Sequence, residues 1–134
     1  MNYALIFAGG VGSRMNSKAI PKQFLEIHGK PIIVHTIEHF EEHQQIDAIC
    51  VVIVKEWLEY MKSLVEKFSL RKVRWIIPGG SSALESQYYG LVAINENHHI
   101  GEKDIVLIHD GVRPLIDEKV ISDCVRETKE YGSQ

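Results

Sequence analysis

The run Ala48-Ile49-Cys50-Val51-Val52-Ile53-Val54 is apolar at every position and rich in β-branched side chains. A strand with one wet face alternates apolar and polar residues. This run does not alternate, so it predicts a strand buried on both faces, as in a parallel sheet covered by helices on each side. Its neighbours agree. Residues 56–68 place Leu58, Met61, Leu64, Val65 and Phe68 at steps of three and four, which predicts an amphipathic helix. Residues 31–40 carry Ile32, Ile33, Ile37 and Phe40 close to helical spacing, with Pro31 suited to a first turn.

Further out the alternation continues. Tyr3 to Phe7, Val73 to Ile77 and Asp104 to Ile108 read as strands. Residues 82–95 read as a helix, with Ser82 as N-cap and Glu85 three residues on, a capping-box pattern. Residues 117–131 read as a helix that starts after Pro114 and stops at Gly132. Strand and helix in turn predict an α/β fold of βαβ units around a mainly parallel sheet. Right-handed crossovers follow from strand twist. Ligands of such sheets bind outside the carboxyl ends of the strands. The loops after Phe7, Ile77 and Ile108 are therefore expected to converge.

Composition limits the function classes. The chain has 134 residues, 45% hydrophobic and 25% charged, which suits one globular domain with a real core. A net charge of −3 gives no electrostatic footprint for nucleic acid. No apolar run approaches the roughly 18 residues of a membrane span. The N-terminus shows no secretion signal, so a cytoplasmic location is expected. Cys50 and Cys124 make no disulfide framework, and Cys50 reads as a small core residue.

The unusual residues lie in the loops. Ala8-Gly9-Gly10-Val11-Gly12-Ser13-Arg14-Met15 follows the first strand. Its glycines let backbone N–H groups approach phosphate oxygens. Met15 takes the place of the third glycine of a dinucleotide fingerprint, and no Gly-Lys-Ser/Thr follows, so neither GxGxxG nor a Walker A loop is present. Arg14 beside such donors suits a polyphosphate. Pro21 stiffens the chain before Lys22, a second cation for the same charge. The alternatives are a plain tight turn and a solvated lysine. In His109-Asp110-Gly111-Val112-Arg113-Pro114, Asp110 at a strand's carboxyl end suits Mg2+, or else a turn. Arg113 suits a second anion, or pairing with Asp110 or Asp117. His35, His39 and His43 stand at i, i+4 and i+8, but lack a carboxylate in the HExxH position. They read as a polar helix face rather than a metal site.

Taken in order, Ala8 to Met15, Pro21-Lys22-Gln23-Phe24, Gly29-Lys30-Pro31-Ile32, Pro78-Gly79-Gly80 with Glu85-Ser86 and Gly90-Leu91, and His109 to Pro114 resemble the IspD/TarI cytidylyltransferases over the whole chain. The resemblance implies a Rossmann-like, GT-A-like nucleotidyltransferase with a three-layer α/β sandwich. It implies CTP and a polyol phosphate as substrates, Mg2+ as cofactor, and a homodimer for full-length members. One branch makes CDP-ribitol from ribitol 5-phosphate, a precursor for wall polymer or capsule. The other makes CDP-methylerythritol from 2-C-methyl-D-erythritol 4-phosphate. The Asp-Gly-Val-Arg form of the third motif and the eight-residue step from Arg14 to Lys22 resemble the ribitol branch.

Carried over residue by residue, the resemblance makes Arg14 and Lys22 the stabilisers of the transition state. Phe7, Ala8, Gly9, Gly10, Gly12 and Ser13, with Gly80, Ser81, Ser82, Ala83, Leu84, Glu85 and Ser86, hold the nucleotide. Asp110 serves as metal ligand and, with Arg113, as substrate contact. Two departures stand out. Ala83 occupies a position where the family commonly has Arg. Family members are also longer, and their further part carries a dimerising arm, another acidic metal ligand and basic substrate contacts. The expectation is thus a truncated, nucleotide-binding portion of one cytidylyltransferase domain, residues 1–134. Competing with it are a non-catalytic nucleotide-binding module and a nucleotidyltransferase using another NTP.

Overall fold

Ala48–Ile53 is a strand with every residue buried, as its uninterrupted apolar character predicts. It sits inside a computed structural model that describes residues 1–8, 20–98, 101, 104–113, 121–123, 125 and 126. Among these the chain runs through β1 (Asn2–Phe7), β2 (Glu26–Ile27), β3 (Lys30–Pro31), α1 (Ile32–Glu41), β4 (Ala48–Ile53), α2 (Leu58–Lys67), β5 (Val73–Pro78), α3 (Ala83–His98) and β6 (Ile105–Asp110). Four strands form one sheet in the order β5-β4-β1-β6. Every pairing in it is parallel, with Leu5 opposite Cys50, Phe7 opposite Asp110 and Val52 opposite Ile77.

The two-residue period of a strand divides the core. One cluster joins Ala4, Ile6, Ile49, Val51 and Ile53 to Ile33, Val34, Ile37 and Phe40 of α1 and Met61 and Leu64 of α2. The alternate residues Tyr3, Leu5, Ala48, Cys50 and Val52 pack with Ile94 of α3 on the other face. This is the expected three-layer α/β arrangement. Burial pushes the Cys50 thiol up to about 12, so it stays neutral and behaves as a core residue. Cys124 lies outside the described residues. No described helix is long and apolar enough to cross a membrane.

The structure differs from the sequence expectation in four places. Helix α2 begins at Leu58 because Lys55–Trp57 forms a 3-10 turn. There the Trp57 ring stacks on Phe24 at 5.1 Å. Strand β6 continues past Ile108 to Asp110, held by pairing with Phe7. His28-Gly29 closes a two-residue hairpin between β2 and β3, with positive φ at both positions, 55° and 81°. That geometry suits a primed turn, and the sequence reading did not find it. Finally, the histidines do not share a solvated face. His39 is exposed, but His43 is buried. His43 Nδ1 accepts the Gln45 N–H at 3.0 Å and Nε2 lies 2.9 Å from Ser122 Oγ. Of the last expected helix, residues 121–123, 125 and 126 are helical and the rest falls outside the described residues.

Candidate functional site

Parallel pairing puts the carboxyl ends of β1, β4, β5 and β6 on one side of the sheet, and the loops there are locked to it by backbone bonds. The Ala8 N–H donates to Val52 O at 2.9 Å, Gly79 N–H to Ile53 O at 2.7 Å and Gly111 N–H to Phe7 O at 2.8 Å. The three loops expected to converge therefore leave the sheet at the same end, those after β1 and β6 from neighbouring strands and that after β5 one strand further along. Phe7 is half-buried and Ala8 buried at this edge. Gly9, Gly10, Gly12, Ser13 and Arg14 lie outside the described residues.

Asp110 ends β6 and turns the chain. Its Oδ1 accepts the Val112 N–H at 3.0 Å, a local turn bond typical of Asp. Its Oδ2 has a loose partner in Arg113 Nε at 3.8 Å, and the Arg113 side chain is mostly exposed. An ion pair of this kind contributes little, about 0–1 kcal/mol, so it does not tie up the carboxylate. Gly111 packs closely: a Cβ there would lie 3.1 Å from the Ala8 Cβ and 3.3 Å from Ile33 Cδ1.

The loop between β5 and α3 is organised by its own side chains. Ser82 caps α3, its Oγ accepting the Glu85 N–H at 3.1 Å. Glu85 reaches back, Oε1 accepting the Ser81 N–H at 2.7 Å and the Ser81 hydroxyl at 3.2 Å. The capping-box reading holds, with the carboxylate one residue further back than the standard pattern. Ser86 is buried and its Oγ accepts the Gly80 N–H at 3.0 Å. A Cβ at Gly80 would meet the Glu85 side chain, which would have to shift from its place in the loop. Ser81, Ser82, Ala83 and Leu84 face outward, Leu84 at 77% exposure. Glu85 and Ser86 thus shape the loop, while its outer rim is open to a ligand. Removing the carboxylate in Glu85→Ala should lower stability by about 1 kcal/mol in urea unfolding, with Glu85→Gln retaining most of it.

Lys22 stands at the start of a 3-10 turn, Lys22–Phe24, with its side chain exposed. No described carboxylate pairs with it. The turn is fixed from below: Phe24 packs on Trp57 and meets Tyr60 edge-on, ring centres 5.1 Å apart in each case. Beside it, Gln23 is buried and its Nε2 has no hydrogen-bond partner among the described residues. Sequence reasoning did not single out Gln23, nor Thr36 of α1. Among the described residues, the exposed cations of Lys22 and Arg113, the loop from Gly80 to Ser86 and the Asp110 carboxylate are group types suited to phosphate chemistry.

Comparison with known proteins gives the same direction. Residues 3–133 match the family model described as IspD, 2-C-methyl-D-erythritol 4-phosphate cytidylyltransferase. The chain is 54% identical over 134 residues to ribitol-5-phosphate cytidylyltransferase of Streptococcus agalactiae serotype III (strain NEM316), covering 99% of this chain and 55% of that protein. It is 38% identical over 132 residues to 2-C-methyl-D-erythritol 4-phosphate cytidylyltransferase of Clostridium botulinum (strain Okra / Type B1), covering 98% and 55%. A crystal structure of 4-diphosphocytidyl-2C-methyl-D-erythritol synthase superposes with a TM-score of 0.75 at 25% identity, over 97% of this chain and 55% of that one. The chain spans about half the length of the curated relatives it matches.

Proposed function

Because the chain belongs to the IspD family of cytidylyltransferases, we propose that it forms the nucleotide-binding portion of an enzyme that transfers a cytidylyl group from CTP to ribitol 5-phosphate. The observation that carries the choice of substrate is the 54% identity to a ribitol-5-phosphate enzyme, against 38% to a methylerythritol-phosphate enzyme over nearly the same residues. The Gly111-Val112 form of the third loop supports the same branch.

In this reading a phosphate oxygen of ribitol 5-phosphate attacks the α-phosphorus of CTP. The bond to the bridging oxygen breaks and pyrophosphate leaves, giving CDP-ribitol. The attacking oxygen is already ionised, so no general base is needed. Lys22, with Arg14, meets the charge that grows on the phosphoryl oxygens and the leaving group. The rim of the loop from Gly80 to Ser86 and the end of β1 at Phe7 and Ala8 hold the cytidine. Arg113 is the nearby cation for the substrate phosphate.

Asp110 fits Mg2+ on the chemistry of its donors. One carboxylate oxygen has no more than a loose pair, and Mg2+ commonly takes one or two carboxylates together with phosphate oxygens. Among the described residues no group of three His, Cys, Asp or Glu is placed to hold a metal alone. Bound with the nucleotide, Mg2+ would neutralise triphosphate charge.

Pyrophosphate release tests the reading. With CTP and Mg2+, ribitol 5-phosphate should support release at least about tenfold better than 2-C-methyl-D-erythritol 4-phosphate, a difference of about 1.4 kcal/mol in the barrier. The reverse preference would move the chain to the other branch. No release with either, together with no CTP binding by calorimetry, would overturn the cytidylyltransferase reading.

A further inference from the structure

We infer that Thr36, in the middle of α1, is the positioning residue for the Asp110 carboxylate. Thr36 is fully buried. Its hydroxyl has one proton and two carbonyls in reach, Ile32 O at 3.3 Å in its own helix and Gly111 O at 2.8 Å, 75 residues away in sequence. A helical threonine usually bonds back to the carbonyl four residues earlier. Here the shorter bond crosses to the loop, and without it the buried Gly111 carbonyl loses its partner among the described residues.

The consequence runs through one planar peptide. The Gly111 carbonyl and the Val112 N–H belong to the same peptide unit, so fixing the direction of one fixes the other. Thr36 holds the carbonyl end. The N–H end donates to Asp110 Oδ1 at 3.0 Å. Glycine at 111 has wide backbone freedom, so this peptide is the place where the loop could rotate. The Gly111 N–H, bound to Phe7 O, does not prevent that rotation, because it lies on the preceding peptide. Thr36 therefore sets which way the Asp110 carboxylate faces. The same turn of α1 also reaches the Lys22 segment, since the Ile32 N–H donates to Leu25 O at 2.8 Å and the Leu25 N–H to Lys22 O at 3.1 Å. One helical turn thus registers the proposed cation and the proposed metal carboxylate against each other.

The relevance to catalysis rests on the cytidylyltransferase reading; the coupling of Thr36 to the loop does not. The chain with Thr36→Val, which keeps the shape and removes the hydroxyl, is compared with Thr36→Ser, which restores it. Hydrogen exchange of the Val112 amide should quicken about tenfold in Thr36→Val relative to the Val51 amide of β4, and return in Thr36→Ser. Affinity for CTP with Mn2+ should fall by about the same factor in the Val variant and recover in the Ser variant. Should Thr36→Val fail to fold, Thr36→Ala carries the same comparison. Unchanged exchange at Val112 in the folded variant, or a Ser variant as perturbed as the Val variant, overturns the inference. A wild-type chain that binds no CTP would instead overturn the nucleotide reading, with Val112 exchange still deciding the role of Thr36.

Discussion

Replacing Lys22 with Ala is expected to lower turnover of CTP and ribitol 5-phosphate about a hundred- to a thousand-fold, with the KM for CTP changed far less. The reason is where the charge appears. In the proposed reaction CTP carries its negative charge before the chemical step, and the loops proposed to hold it share that charge. The extra charge on the equatorial oxygens and leaving group exists in the transition state, and a cation fixed at that place acts chiefly there. The backbone beneath Lys22 is braced in a way that suits this proposed role. Pro21 precedes it at φ −57°. The Phe24 N–H closes the turn onto Pro21 O at 2.9 Å. The Phe24 ring is held by Trp57 and Tyr60. Lys22→Arg should recover part of the rate, since it keeps the charge but replaces a compact ammonium with a wider planar group. Steady-state pyrophosphate release checks both. Turnover equal to wild type in Lys22→Ala would remove the residue from this role.

What the sequence made legible, and what it did not, follows from the range of the forces involved. Ala48–Ile53 could be read because burial on both faces leaves its mark on every residue of the strand. The Ser82 cap could be read because both partners lie within one turn of helix. The extension of β6 to Asp110 depends on pairing with Phe7, more than a hundred residues away. Burial of His43 depends on Ser122 and on the fold of the 43–45 turn. Thr36 looked like an ordinary polar residue in an apolar helix, because its partner is a backbone carbonyl and carries no side-chain signal. Asp110 and Lys22 were found as residue types in motifs; the peptide and the aromatic ring that hold them were not. The supports of the site are tertiary, whereas its chemical groups are local, and one sequence shows the second kind better.

Gly90 marks a contact as exacting as any in the core, and Gly90→Val is expected to destabilise the chain by about 3 kcal/mol or more. Gly90 lies inside α3, where glycine is about 1 kcal/mol worse than alanine. Its presence needs a compensating reason, and the packing supplies one. A Cβ at position 90 would lie 2.5 Å from Leu5 Cδ1, 2.9 Å from Leu5 Cγ and 3.0 Å from Val52 Cγ2. Leu5 and Val52 are both fully buried, so neither can swing into solvent. For Gly90→Ala the helix gain of about 1 kcal/mol opposes an overpacking cost of about 1–3 kcal/mol, and a net loss is expected. Valine adds two further methyl groups where one does not fit, and its branching lowers helix preference as well. Urea unfolding measures the loss. Gly101→Ala is the control, because among the described residues its nearest atom would be Asp104 Oδ2 at 3.8 Å, and it should unfold like wild type. The effect should also reach the ligand: Ser82 caps α3 and Glu85 and Ser86 lie in its first turn, so lifting the helix off β1 and β4 moves the glycine loop. A folded Gly90→Ala should therefore bind CTP less tightly than wild type under conditions where both are native. Full stability and full affinity in Gly90→Val would mean that α3 does not rest on Leu5 and Val52 as closely as the packing requires.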